Sequence, residues 1–234
     1  ASLSLPFFLA AALYAFAVLP IVMALPESLP REKRIKRTNS IARFPMGRIE
    51  RTLCAPMGFL LLLAFLLSFG LTGFEGIFGL YALKLYGYGP ERVGTIIVLI
   101  GVISVIMQGV VTGPLSRRWG ETSIIQVSLI VCAIGFVLML QASTFPQVLL
   151  TVSVFIIGSS LLRPALSSLI SKRSTIAQGK TMGLNNSFTS LGRIFGPACA
   201  GFLFDLKMSY PFFSGAVVML VAFVGSLLWL ENHR

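Results

Sequence analysis

The sequence predicts an all-α fold, a polytopic bundle of membrane-spanning helices, and two observations support this prediction. Hydrophobic residues make up 56% of the 234 residues and charged residues only 12%, with a mean hydropathy of +0.88, whereas soluble domains average roughly 45–50% apolar residues. Runs such as Met57–Gly70 and Val93–Met107 are almost continuously apolar, unlike the alternating segments of about ten residues in outer-membrane barrels. Because a spanning helix needs about 20 apolar residues, this composition suffices for about seven spans and leaves no sizeable soluble domain.

Seven apolar stretches are predicted to be the spans. In chain order they are Leu5–Leu25, Met57–Leu83, Val93–Val111, Ile124–Leu140, Val148–Ile170, Met182–Phe204 and Tyr210–Trp229. The long interruption is residues 26–56, in which six of the seven residues from Arg31 to Arg37 are charged. We interpret it as a solvated linker that helps to set the topology, or alternatively as a lipid-binding or regulatory segment. It separates one helix from the six that follow.

The net charge of +11 comes from basic residues that lie between the spans. One side of the predicted membrane carries 14 Lys and Arg: eight in residues 26–56, two in Gly113–Glu121, three in Ser171–Lys180 and one in the tail. The other side carries only Lys84, Arg92 and Lys207. The positive-inside rule places the fourteen in the cytoplasm. We therefore predict an integral protein of the plasma (inner) membrane with a cytoplasmic C-terminus, and no nucleic-acid partner.

No motif in the sequence indicates an enzyme. Paired intramembrane aspartates, HExxH, GxSxG and Walker A patterns are absent, and the single histidine, His233, lies in the tail. The cysteines Cys54, Cys132 and Cys199 have no metal-ligand spacing. We predict neither catalytic residues nor a metal nor a cofactor.

Three ionisable residues, Glu75, Arg163 and Arg193, lie inside predicted spans. A charge inside the membrane costs several kcal/mol, about 3 on insertion scales, and is a functional candidate by default. Glu75 is surrounded by glycine and phenylalanine, an environment that favours the protonated carboxyl group, so it is a candidate for binding and releasing a proton. The structural alternative is a static ion pair between Glu75 and an arginine of a neighbouring helix, for which Arg193 is the candidate.

The helical neighbours of Glu75 suggest a binding surface. Leu71, Thr72 and Phe78 lie three or four residues from Glu75 and therefore on the same helix face. An apolar surface with an aromatic ring, a hydroxyl group and one carboxylate suits a positively charged aromatic small molecule. For Phe78 by itself, packing in the helix bundle is the more common role.

The sixth predicted span carries a polar stripe of Asn185, Asn186, Thr189 and Arg193. Such a stripe lines a water-filled cavity or forms hydrogen bonds between helices. We favour the cavity.

Proline and glycine mark two further features of the spans. The Arg163-Pro164 pair lies in a helix interior, where proline kinks the helix. The kink is a candidate gate, while Arg163 can alternatively extend to the lipid headgroups. The pattern Gly-x-x-x-Gly-Pro occurs at Gly109–Pro114 and at Gly192–Pro197. These copies indicate either the inverted repeat of a secondary transporter or close packing of helices.

Three of these stretches resemble the drug/proton antiporters of the major facilitator superfamily, of the quinolone and multidrug efflux type. Gly183–Asp205 is similar to that family's eleventh helix almost throughout, Phe74–Tyr81 to its seventh, and Leu161–Pro164 to its tenth. The resemblance implies helices six to twelve of a twelve-helix transporter. Residues 1–25 would be the last helix of the N-terminal half, residues 26–56 the basic cytoplasmic loop between the halves, and residues 57–234 the C-terminal six-helix domain.

The resemblance also implies roles and partners. It gives Glu75 a role in proton coupling and in the binding of cationic drugs, and it implies membrane lipids and the N-terminal half of the same transporter as partners. The residues assigned to gating or structural roles are Arg163, Pro164, Arg193, Gly113, Arg117, Arg118, Gly120, Gly196 and Pro197.

The sequence departs from the family pattern at three places. Ser160 stands where related efflux proteins can have an aspartate. Arg193 occupies a position that is usually neutral, so it would disfavour a cation nearby or hold Glu75. Gly113–Glu121 reverses the acidic and the final basic positions of the family's cytoplasmic motif.

The expected function is proton-coupled efflux of lipophilic, often cationic, drugs by alternating access. The residues expected to contact substrate are Glu75, Phe78, Leu71, Thr72, Asn185 and Thr189. The alternatives are an uptake symporter of the same superfamily for a small organic solute and, from a different class, a seven-helix receptor.

Overall fold

A computed structural model describes residues 5–24, 56–174 and 178–230 of the chain. These residues are almost entirely helical, and no β-strand occurs among them, which confirms the predicted all-α bundle. We number the α-helices in chain order as α1 Leu5–Ala24, α2 Pro56–Tyr86, α3 Pro90–Ile106, α4 Thr112–Met139, α5 Phe145–Arg173, α6 Gln178–Leu206 and α7 Tyr210–Leu230.

The chain divides into two compact units, Ala1–Pro45 and Met46–Arg234. In the first unit the structure describes α1, which begins where the first predicted span begins and ends one residue earlier. The predicted basic loop lies, up to its last residue, outside the described residues, as does the tail at 231–234. The division of the chain into a last N-terminal helix, a loop and a six-helix domain therefore stays a prediction.

Four stretches of the described residues are long and apolar enough to cross a membrane: Met57–Tyr86, Pro90–Met139, Phe145–Arg173 and Tyr210–Trp229. They cover five of the predicted spans, because the stretch Pro90–Met139 includes both the third and the fourth predicted span. The helix α6 is more polar, and the apolar part of α1, Phe7–Met23, is shorter than the roughly 20 residues of a spanning helix. For α1 and α6 the predicted membrane crossing stays a prediction.

The helices α2 and α6 pack with their backbones in contact, because glycines lie at the crossing. A Cβ atom added to Gly192 would lie 2.6 Å from the carbonyl oxygen of Phe65, and one added to Gly196 would lie 2.8 Å from Oγ1 of Thr72. On the α2 side, a Cβ atom on Gly73 would lie 3.3 Å from the Gly196 carbonyl oxygen. Small residues permit such an approach between membrane helices. The second copy of the Gly-x-x-x-Gly-Pro pattern is therefore a packing site.

Aromatic rings fill the centre of the bundle. The ring centroid of Phe74 in α2 lies 6.1 Å from that of Phe136, 4.6 Å from that of Phe155 and 6.3 Å from that of Phe212. Gly135 lets α4 approach α5, since a Cβ atom there would lie 2.8 Å from the Cβ of Phe155. The core of Met46–Arg234 thus joins α2, α4, α5 and α7.

The first copy of the Gly-x-x-x-Gly-Pro pattern has a different structure. It overlaps a π-helical turn over Met107–Val111 that connects α3 to α4, and a Cβ atom on Gly109 or Gly113 would meet nothing within 4 Å. Pro114 cannot donate a backbone hydrogen bond, and its ring clashes with the carbonyl group four residues earlier. The π turn lies at that position, as is typical where a side chain interrupts helical hydrogen bonding.

The prediction of a loop over Gly113–Glu121 is wrong for most of its length. The helix continues through residue 119 and turns at Gly120, whose φ of 75° and ψ of 160° belong to a backbone region that is essentially limited to glycine. The helical path therefore kinks at one residue, because glycine tolerates this geometry, and no extended loop is needed.

The helices α2 and α5 run antiparallel. The hydroxyl group of Tyr86, at the end of α2, donates a hydrogen bond of 2.7 Å to the carbonyl oxygen of Ala142, shortly before α5 begins. This unit has two opposite ends. The aromatic end comprises Tyr86, Tyr88, Arg92 and Phe145, and the basic end comprises Arg117, Arg118, Glu121, Lys172 and Arg173.

Substituting Gly196 by alanine tests the contact between α2 and α6. We expect a loss of stability of about 1–3 kcal/mol, the usual cost of inserting atoms into a packed interface. Gly201→Ala in the same helix is the matched control, because a Cβ atom there meets nothing within 4 Å. Thermal unfolding of both variants in detergent measures the difference. Equal stability of the two variants would contradict the close contact.

Candidate functional site

The candidate site contains an ion pair between α2 and α5. Nη2 of Arg163 lies 3.6 Å from Oε1 of Glu75. The arginine side chain is 44% exposed and the glutamate side chain 63% exposed, so the pair lies on an open face of the described helices and outside the aromatic core. This places a carboxylate beside a single cation, where water or a ligand can reach both groups.

The direction of the two helices explains how the pair forms. Phe74 and Phe155 meet in the core, and Arg163 lies eight residues beyond Phe155, or about 12 Å along the helix. Side chains in an α-helix tilt toward its N-terminus. Because α2 and α5 are antiparallel, Glu75 and Arg163 lean toward each other and the long arginine side chain spans the remaining distance.

The structure corrects the expected partner of Glu75. The partner is Arg163 rather than Arg193, and Arg193 makes no ion pair with any residue that the structure describes. Arg193 is exposed and lies one turn before Pro197, whose Cβ would be 3.2 Å from a Cβ atom on Gly76. The preceding residue, Gly192, packs on Phe65 and Ser68, so Arg193 lies near the level of Ser68, about 10 Å along α2 from Glu75.

The predicted apolar surface around Glu75 is not open in this structure. Leu71, Thr72 and Phe78 are buried, while Glu75 is exposed. The hydroxyl group of Thr72 faces α6, and the ring of Phe78 packs on Phe74 with a centroid distance of 5.0 Å. These three residues flank Glu75 on the helix and turn inward, because α6 and the aromatic core cover them.

The polar stripe of α6 is divided between two environments. Asn185 is buried, whereas Asn186 and Arg193 are exposed. The hydroxyl group of Ser68 donates a hydrogen bond of 2.8 Å to the carbonyl oxygen of Thr189, which joins α2 to α6. This bond uses the main chain of Thr189, so the cavity expected along the polar side chains of the stripe stays a prediction.

Ser160, which stands in place of an aspartate, makes a contact between helices. Its Oγ atom lies 3.4 Å from Oγ of Ser104, which links α5 to α3 one turn from Arg163. A hydroxyl group at this position leaves Glu75 as the acidic partner of Arg163.

A cleft at the basic end brings predicted gating residues together. It has a volume of about 390 Å³, and Gly113, Arg117 and Pro164 line it together with Glu121 and Lys172. A neighbouring cleft of about 520 Å³ is lined by Gly113, Pro114, Arg117 and Arg118. These clefts bring together Gly113, Arg117, Arg118 and Pro164 of the predicted gating set. The other members line neither cleft: Arg163, Arg193, Gly120, Gly196 and Pro197.

Sequence reasoning missed the ion pair that closes this cleft. The carboxylate of Glu121 accepts hydrogen bonds from Nζ of Lys172 and from Oγ of Ser168, the latter at 3.1 Å. The reversed acidic position of the Gly113–Glu121 segment therefore has a partner within the same half of the bundle. In the sequence, the only sign of this pair is Lys172 near the end of α5. Its pairing with Glu121 depends on the turn at Gly120, which the sequence does not reveal.

The aromatic end was also missed. The guanidinium group of Arg92 lies 5.3 Å from the ring centroid of Tyr88 and 5.7 Å from that of Phe145. These contacts tie the turn before α3 to the start of α5. No group of three or more His, Cys, Asp or Glu side chains approaches metal-binding geometry in the part of the chain that is described.

Comparisons with known proteins agree with this architecture. The family model of the Major Facilitator Superfamily matches residues 1–173 and 110–234. Multidrug resistance protein 2 of Bacillus subtilis (strain 168) is 33% identical over 231 residues, which cover 98% of this chain and 58% of that protein. Quinolone resistance protein NorA of Staphylococcus aureus (strain COL) is 30% identical over 173 residues, which cover 74% of this chain and 44% of that protein.

A solved structure shows the same fold. The crystal structure of the human organic anion transporter MFSD10 (TETRAN) superposes with a TM-score of 0.67 at 23% sequence identity, over 73% of this chain and 40% of that one.

The chain therefore belongs to the major facilitator superfamily, a superfamily of integral membrane transporters. Among its relatives are proteins of the multidrug resistance type, which confirms the resemblance seen in the sequence. The assignment to transporters rather than enzymes is confirmed, and the alternative of a seven-helix receptor is wrong. The chain spans 58% of the length of the Bacillus subtilis relative.

A double-mutant cycle tests the partner of Glu75. We expect Glu75→Gln and Arg163→Gln to be non-additive in thermal stability by about 0.5 kcal/mol or more, because each single variant leaves one charge without its partner. The matched cycle of Glu75→Gln with Arg193→Gln should be additive. Coupling in the second cycle and none in the first would contradict the observed pairing.

Replacing Gly120 by alanine tests the turn at the basic end. We expect a loss of about 1–3 kcal/mol, the cost of forcing a side chain into this backbone region. Gly101→Ala is the control, because Gly101 lies in α3 with nothing within 4 Å of an added Cβ atom. Unfolding midpoints that fall no further for Gly120→Ala than for Gly101→Ala would overturn the assigned geometry.

Proposed function

We propose that the chain is the C-terminal part of a proton-coupled exporter of lipophilic, often cationic, drugs that works by alternating access. The observation that carries this proposal is the accessible ion pair of Glu75 and Arg163. The names of the relatives, a multidrug resistance protein and a quinolone resistance protein, support the substrate class.

The ion pair provides a physical basis for exchange. Deprotonated Glu75 carries a negative charge that Arg163 balances, and a lipophilic cation gains an attraction to the same carboxylate. A proton bound to Glu75 removes that charge, so the proton and the cation compete for one residue. Competition for one site is the requirement for antiport. One charge moved across 100 mV is worth about 2.3 kcal/mol, which lets the membrane potential contribute to the cycle.

The orientation in the membrane and the missing wall of the substrate pathway follow from the same proposal. The basic end would face the cytoplasm of a plasma (inner) membrane, as the positive-inside rule requires, with the C-terminus on the same side. Residues 1–25 would belong to an N-terminal half that supplies the opposite wall of the substrate pathway. The open face that carries Glu75 and Arg163 would then line that pathway, and the clefts beside Pro164 and Gly113 would change shape as the access switches.

A transport measurement tests the proposal. Inverted vesicles that contain the protein encoded by the complete gene are energised, and accumulation of a fluorescent lipophilic cation is followed. We expect accumulation with the wild type and its loss with Glu75→Gln at matched expression, because the variant cannot exchange a proton.

Glu91→Gln is the matched control, since Glu91 lies in the first turn of α3, away from the ion pair. It should transport like the wild type. Equal transport by Glu75→Gln and the wild type would show that coupling lies elsewhere. No transport by the wild type would refute drug export and leave solute uptake as the alternative to test.

A further inference from the structure

Among the described residues, Arg163 pairs with one acid, and that acid is the residue proposed to bind the proton. The charged and titratable side chains on α2, α5, α6 and α7, in the described range, other than the pair itself, are Tyr81, Lys84, Tyr86, Lys172, Arg173, Lys180, Arg193, Cys199, Asp205 and Tyr210. The other acid among these, Asp205, lies near Phe204, whose ring contacts Lys84 close to the aromatic end. On α3 and α4, which also pack against α5, the charged and titratable residues are Glu91, Arg92, Arg117, Arg118, Glu121 and Cys132. Glu91 lies in the first turn of α3, and Glu121 is held by Lys172 and Ser168. Among the described residues, Glu75 is therefore the carboxylate that contacts Arg163.

The geometry points to a second binding site, for an anionic group of a substrate, that exists only when Glu75 is protonated. The site is the guanidinium group of Arg163, which is 44% exposed on the same open face. This inference rests on the proposed proton binding at Glu75. It adds that the charge of the substrate decides the direction of coupling, so that cations exchange with the proton and anions bind together with it.

Charge balance supports this inference. With Glu75 deprotonated, the pair is neutral, and a bound anion would leave a net negative charge. With Glu75 protonated, Arg163 is a single positive charge, and a bound carboxylate or sulfonate restores neutrality. An uncompensated charge outside bulk water is costly, and a guanidinium group binds such anions through two parallel hydrogen bonds. The proton and the anion therefore stabilise each other's binding.

Reciprocity gives the inference a measurable form. If protonation strengthens the binding of an anion, the anion strengthens proton binding by the same factor, and typical factors of this kind are about 5–150-fold. The cation shows the opposite sign. Two probes of similar shape and permanent, opposite charge therefore report on the same protonation event without titrating themselves.

The experiment measures equilibrium binding to the complete protein in lipid nanodiscs at acidic and at alkaline pH. The probes are a naphthalene sulfonate and a naphthyl trimethylammonium compound. We expect the sulfonate to bind about fivefold or more tightly at acidic pH and the ammonium compound about fivefold or more weakly. Glu75→Gln should bind the sulfonate equally at both pH values and lose the ammonium compound.

Arg163→Gln separates this inference from the proposed function. It should lose the binding of the sulfonate and keep pH-dependent binding of the ammonium compound, which also shows that the variant is folded. Arg163→Lys should keep part of the sulfonate binding, and Arg92→Gln at the aromatic end should resemble the wild type.

Two outcomes would overturn the inference in different ways. If the ammonium compound behaves as expected and the sulfonate fails to bind or shows no pH dependence, the anion site is refuted while the proposed function stands. If the ammonium compound shows no pH dependence in the wild type, proton coupling at Glu75 fails and the anion site fails with it.

Discussion

The contact between α2 and α6 is the constraint on which the rest of the site depends. At Gly192 and Gly196 an added Cβ atom would approach the backbone or the hydroxyl groups of α2 within 3 Å, so the rotation of α2 is fixed against α6. That rotation turns Ser68 and Thr72 toward α6 and turns Phe74 into the aromatic core. Glu75, the next residue, is consequently presented on the open face beside Arg163.

The ion pair gives this packing a functional meaning. Its two members belong to different helices, so a change in the charge of Glu75 alters an attraction between α2 and α5. The π turn before α4, Pro164 in α5 and the turn at Gly120 lie between this pair and the basic end, where Glu121 and Lys172 form the second ion pair. The proposed switch in access would act on helices that already deviate from regular geometry at these positions.

The sequence allowed the fold to be predicted and Glu75 to be singled out as a candidate, because apolar stretches and an acid inside one of them are visible without tertiary structure. The partner of Glu75 was not predictable. Arg163 lies about 12 Å along the helix axis from the level of Glu75. The two side chains meet only because α2 and α5 are antiparallel. The neighbours Leu71, Thr72 and Phe78 share a face with Glu75 on an isolated helix, but the packing of α6 and of the aromatic core buries them. The helix through residue 119 was missed because proline and glycine in sequence resemble a loop, whereas a π turn and one glycine conformation accommodate them here.

The most direct test of the account is the structure of the complete protein in a lipid bilayer at mildly alkaline and at mildly acidic pH. We expect the carboxylate of Glu75 to contact the guanidinium group of Arg163 at alkaline pH and to separate from it at acidic pH, with the contact between α2 and α6 unchanged. A carboxylate paired with Arg193, or a Glu75–Arg163 contact that is identical at both pH values, would contradict it.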